Sequence, residues 1–370
     1  MKKLSRKQRE YLKRITGYRL SFLKKQNKNA KTANEAIKAF MKRYGLKDLI
    51  TIPAPEYFNI SNRDTRSKFL KFISKLRIHC KKESVLVYID FSKTLKMGAE
   101  ATLYLLAELE TIIYKNKNFK FKIYNSKNTI VNQVLYQTGI LKLLSIKTKM
   151  DSSTFDDSVK CWAYTSGSNA QVSSETKDIV KDLGQLFTDS TQSTRGWFKV
   201  ITEAMTNSHH HAYLEPRFLD SPNDISLKKW WLFAKEVDGI LTVCICDLGV
   251  GIPRSLKENT QNLNPGWMGI LKTYIQELRK KYNEDSALIQ AAIEIGKTRT
   301  NLPNRGKGLS QIIHELKKLP NANVSVSILS NNGGFMSKSL KFADSILIPF
   351  NDSIHGTIIT WKVHMSSNID

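Results

Sequence analysis

Apolar positions recur at helix-like spacing along the first 48 residues, at Leu4, Tyr11, Leu12 and Ile15 and again at Ala36, Phe40 and Met41, with the polar run NKNAKTAN between the two sets. That pattern predicts a pair of basic helices over residues 1–50. The two prolines of IPAPEY end it. A helix is then expected over residues 63–81, followed by a buried strand at SVLVYIDF, which is rich in β-branched and aromatic residues. Further helices at residues 99–114 and 128–144 flank a strand at 119–124, and this alternation of strand and helix describes a small α/β domain over residues 55–150.

Residues 145–175 change character. TKMDSSTFDDS and TSGSNAQVSS are polar and carry little periodicity, so they read as a linker with a domain boundary near residue 155. Beyond it the pattern predicts a helix at 196–213, a hairpin-like strand pair at 229–236 and 240–247, a long helical insertion, a helix at 309–319 and closing strands. Together these form a second domain over residues 165–365.

Composition narrows the picture. With 370 residues, 41% of them hydrophobic, the chain can bury a full core. Its longest apolar stretches, near Ile240 and Leu103, fall short of the roughly 18 residues of a membrane span. The basic N-terminus has no apolar run behind it, so export is not expected. Four cysteines, two of them alternating on one strand as Cys244 and Cys246, suit a reducing cytoplasm rather than a disulfide framework. The net charge of +25 is uneven: residues 1–48 hold 16 Lys and Arg against the three acids Glu10, Glu35 and Asp48. Such a segment can be a solvated helical pair or can hold nucleic acid through phosphate contacts.

Four short stretches carry candidate chemistry. In EAMTNSHHHAY, helical spacing puts Glu203 and Asn207 on one face. In VCICDLGVGIP, a buried strand delivers Asp247 to a turn containing Gly249, Gly251 and Ile252, where glycine lets a ligand approach the backbone. Arg305, Gly306, Lys307, Gly308 and Leu309 lead into a helix whose N-terminus is a ready anion site. Finally, His355, Gly356 and Thr357 open the last strand. Each alone is an ordinary turn or a solvated surface pair. His209, His210 and His211 with Cys244 and Cys246 lack the spacing of metal ligands, because adjacent helical residues diverge by about 100°.

In order and spacing, these stretches over about residues 185–365 resemble the N box, G1 box, G2 box and closing Gly-Thr strand of the GHKL superfamily of gyrases, heat-shock chaperones, histidine kinases and MutL proteins. EAMTNSHHHAY looks most like the N box of anti-sigma-factor serine kinases, a pattern His211 fits. The resemblance implies a Bergerat-type α/β sandwich that binds ATP and Mg²⁺. In that fold Asp247 would accept a hydrogen bond from the adenine amino group, Asn207 would hold Mg²⁺, and Glu203 would orient or deprotonate the attacking water. Gly249, Gly251 and Ile252 would line the adenine pocket, Arg305 to Leu309 would wrap the triphosphate, and Thr357 would close the site. Residues between Pro253 and Arg305 would form an ATP lid of about fifty residues, with two helices and a loop from Gly296 to Thr300.

VLVYIDFSKTLKMGAEATLYLLAELE with NQVLYQTGILKLL resembles a STAS domain, the fold of anti-anti-sigma factors. Where that family offers a phosphorylatable serine, this chain reads Met97, Gly98, Ala99 and Glu100. The sequence favours an ATP hydrolase working as a conformational switch. A serine/threonine kinase acting on a separate partner of STAS-type fold, and an ATP-gated protein holding nucleic acid through residues 1–48, stay open, as does a homodimer.

Overall fold

The computed structural model describes residues 14, 16, 21, 31–117, 119–160, 162–168, 190–219, 227–260, 265–298, 309, 312, 316, 322–338 and 345–365. The fold is mixed α/β, with one parallel and one antiparallel sheet as its two main layers. Residues 31–43 are helical (α1) and run into β1, Asp48–Pro53. β1 pairs in parallel with β3 (Val85–Asp90), which pairs in parallel with β5 (Phe119–Tyr124). Every residue of β3 from Val85 to Ile89 is buried, as a central parallel strand covered on both faces requires. A two-residue pair, β2 (Tyr57–Phe58) with β4 (Lys96–Met97), stands beside this sheet.

The crossovers are α2 (Arg63–His79) and α3 (Ala99–Lys115). Asn62 caps α2 by accepting from the amides of Asp64 and Thr65, and Phe69, Phe72, Ile73 and Leu76 form its inner stripe. α3 is different: residues 101–109 are buried without a break. A helix apolar on all sides needs cover on all sides. α3 finds it by packing on both sheets, so Leu103 to Leu109 share one core with Trp231, Phe233, Cys244 and Cys246 of the second layer.

That second layer has seven strands, ordered β11-β10-β9-β12-β8-β7-β6, with every neighbouring pair antiparallel. They are β6 (Trp162–Gly167), β7 (Trp230–Val237), β8 (Ile240–Asp247), β9 (Ala322–Ser330), β10 (Gly333–Ser337), β11 (Ile346–Pro349) and β12 (Thr357–Met365). Alternation sorts their side chains. Cys244 and Cys246 face α3, while Val243 and Ile245 join a second core with Val200, Ile201 and Met205 of a 22-residue helix, α7 (Ser190–His211).

Charged groups stitch the layers together. Glu108 of α3 is ion-paired with Arg77 of α2 and with Arg217, and the Tyr104 hydroxyl donates to the carbonyl of Ile354. Arg66 is buried, with Nη2 donating to the Asn331 carbonyl at 2.7 Å and Nε to that of Asp352 at 3.0 Å.

Four sequence expectations are corrected. The first strand, β1, lies within the stretch read as the end of the basic helices and a proline stop. The polar stretch 145–175 holds, besides the short helices Ser152–Thr154 (3₁₀) and α6 (Asp157–Lys160), the edge strand β6, whose Trp162 to Gly167 pair with Lys235 to Trp230. The helix expected over 128–144 is two, α4 (Thr129–Gln137) and α5 (Ile140–Leu143), parted at Gly139 with φ 77°. The lid region contains three helices, α8 (Ile252–Thr260), α9 (Pro265–Arg279) and α10 (Glu284–Thr298). Ala287, Ile289, Ala291 and Ile293 of α10 are buried, with Ile289 and Ile293 in the core beneath the sheet, so α10 is a structural layer and no lid. Gly296 to Thr298 belong to that helix rather than to a loop. Among the described residues no helix is long and apolar enough to cross a membrane.

Candidate functional site

β8 carries Asp247 out of the sheet centre at its C-terminal end, where the register sets it against Thr357 of β12, which in turn sits against Ser330 of β9. Three neighbouring strands thus end together. Asp247 is 7% exposed. Its Oδ1 accepts from the Gly249 amide at 3.0 Å and its Oδ2 accepts from the Ser208 hydroxyl at 3.4 Å, while the nearby Thr357 backbone favours the charged form. Burial outweighs these donors and raises the carboxyl to about 6. A carboxylate has about four acceptor positions, more than these two donors fill among the described residues.

The turn after Asp247 is pressed against the end of α7. The amide of Val250 donates to the Ala212 carbonyl at 2.7 Å, and a Cβ on Gly249 would stand 2.0 Å from that same oxygen. Gly251 has φ 81° and packs against the amide of Asn331. Asn331 ties two loops together: its Nδ2 donates to the Val250 carbonyl at 2.9 Å, and its Oδ1 accepts from the Gly356 amide at 3.2 Å. The Ser330 hydroxyl accepts from the Ile252 amide at 2.9 Å and lies 3.1 Å from the Thr357 hydroxyl.

α7 brings the remaining groups alongside. Val200, Ile201, Ala204, Met205 and Ser208 form its buried stripe, leaving Glu203 and Asn207 half-buried on the flank. Burial raises the Glu203 carboxyl above its ordinary value. Asn207 has an amide nitrogen that is buried with no hydrogen-bond partner. An orphaned polar atom of this kind costs free energy unless something polar meets it. His211 is exposed at the surface, yet neighbouring protein lowers its imidazole first by desolvation and then through His210. Among the described residues no three His, Cys, Asp or Glu side chains gather as a metal site.

The structure therefore assembles Asp247, Gly249, Gly251, Ile252 and Thr357 around one strand end, with Glu203, Asn207 and His211 on the abutting helix. Leu309 is helical and packs on the same core as α7. Arg305, Gly306, Lys307 and Gly308 lie outside the described residues. Sequence reasoning missed three participants. Ser208 sits inside the motif that was read, yet its role depends on a strand 39 residues away. Ser330 and Asn331 open the SNNGG turn, a signal for a hairpin but not for the two loops Asn331 bridges. Compared with protein-family models and with curated proteins, the chain matches none.

Proposed function

We propose that the seven-stranded layer and α7 form a GHKL-type, Bergerat-like ATP-binding domain, docked on a STAS-like N-terminal half, and that the protein is a Mg²⁺-dependent ATPase working as a conformational switch. The observation that carries this reading is Asp247: a buried carboxylate at a strand end, oriented by the Gly249 amide and the Ser208 hydroxyl where β8, β9 and β12 meet. An adenine amino group is a donor that such a carboxylate can accept, and the close packing of Gly249 on Ala212 and of Gly251 on Asn331 fixes the turn that presents it.

The fit to nucleotide and metal extends to the helix. The unpartnered Nδ2 of Asn207 is a donor that suits an acceptor brought by a ligand, such as a phosphate oxygen; Mg²⁺ would be held through the Oδ1 of the same side chain, and because the ion keeps most of its waters one protein oxygen suffices. The bound ion would neutralise charge on the phosphates. On this reading Glu203, its carboxyl raised by burial, would hold a water and accept its proton.

Titrating a non-hydrolysable ATP analogue with Mg²⁺ into wild type and Asp247→Asn tests the pocket. Wild type should bind and the variant should lose at least tenfold in affinity. An absence of heat from a folded wild-type protein sinks the ATP reading. Phosphate release from Mg-ATP should then fall by a factor of about 100 or more in Glu203→Gln, the scale of a lost general base, with analogue binding retained. Label appearing on a separate STAS-fold protein in place of free phosphate would favour the kinase chemistry instead.

A further inference from the structure

A large groove shares no residue with the Asp247 cluster. About 890 Å³ in volume, it follows β5, one edge strand of the three-stranded sheet, between α1, the C-terminal end of α3 and the segment after α5. Its charge is one-sided: five cationic side chains line it against a single acid, Glu110, and that acid is already paired with Lys229. Lys117, Lys120 and Lys147 are exposed.

Lysines on an edge strand commonly serve only to block strand addition. The rings set among these lysines have no part in that. Tyr114 is 57% exposed and Tyr44 45% exposed, both on the groove wall. Lys122 Nζ stands 4.4 Å from the Phe40 ring centre, and Lys120 Nζ and the Arg43 guanidinium 5.5 and 5.6 Å from that of Tyr44, so cations and aromatic rings lie side by side in the channel. A positive channel interleaved with ring faces is the arrangement that holds a single-stranded nucleic acid: the cations track phosphates and the rings stack unpaired bases. A duplex hides its base faces, so it gains nothing from Tyr114 or Tyr44.

We propose that the groove along β5, walled by α1 and the end of α3, is a binding site for single-stranded DNA or RNA. Its lining residues are distinct from those of the nucleotide pocket.

The test is fluorescence anisotropy of labelled oligo(dT) and oligo(U) on the full chain over a salt series. Tyr114→Ala should weaken binding by about tenfold, the scale of one lost stacking contact. Lys117→Ala/Lys147→Ala should reduce the slope of log affinity against log salt by about 1.4, two phosphate contacts on a single strand. Both variants alter exposed side chains, so their melting temperatures should match wild type. The control Lys2→Ala/Lys3→Ala removes equal charge from the arm. Unchanged binding by both groove variants overturns the proposal, as does loss confined to the arm variant. A hairpin duplex binding as tightly as oligo(dT) would overturn it, and polyglutamate competing as well as unlabelled oligo(dT) would point to an acidic polypeptide instead. No binding of either oligonucleotide also ends it.

Discussion

Asp247 illustrates a residue whose environment opposes its charge. Burial raises its carboxyl to about 6, whereas in the unfolded chain it titrates near 4. Between those values the folded protein keeps a proton that the unfolded chain has released, so stability falls as pH rises from about 4 to 6, by an amount on the order of 3 kcal/mol. Asp247→Asn has no such proton to lose. Urea midpoints measured from pH 4 to 8 should show the variant gaining on wild type through that window, and a flat difference would mean that Asp247 does not titrate there. Gly249 fails for a steric reason. Its missing Cβ would stand 2.0 Å from a backbone oxygen that cannot step aside without moving α7. Gly249→Ala should cost about 1–3 kcal/mol in denaturant unfolding, the scale of overpacking. The glycine and the carboxylate were both legible in VCICDLGVG. The Ser208 and Asn331 contacts were not, because hydrogen bonds between residues 39 and 81 positions apart leave no local periodicity.

Helix α3 was legible as a helix, whereas its unbroken burial in residues 101–109 and its sharing by two layers come from the structure alone. Its ion pairs settle how it docks. Burial alone would raise the Glu108 carboxyl, but Arg217 and Arg77 more than offset that and hold it far below the ordinary range. Its stabilisation is therefore present above about pH 4 and is lost on further acidification. Glu108→Gln keeps the shape while leaving two guanidinium groups short of a counter-charge, and should destabilise by about 3–5 kcal/mol in thermal or urea unfolding at neutral pH. β6 and β1 escaped sequence analysis for related reasons. WAYTSG is half polar because it is an edge strand next to serine-rich chain, and DLITIP carries a proline that an edge strand tolerates. α10 was misassigned because its position between two motifs suggested a lid, while its buried Ala287, Ile289, Ala291 and Ile293 mark a layer of the core.

Across the whole molecule, two halves with separate sheets share one apolar core, and Arg66 and Arg217 carry that union to the backbone of residues 331 and 354–355, beside the Asp247 cluster. Calorimetry should therefore record a single endotherm at neutral pH; two resolved transitions would show the halves to be energetically independent. The same shared helix governs how the chain can be divided. Separated near residue 155, the first half would bare the face of α3 that covers Cys244 and Trp231, and the second would bare those residues. Neither should stay in solution by itself. Made together in one cell, the two pieces have complementary sticky faces and should find each other, which would make this protein a natural split reporter.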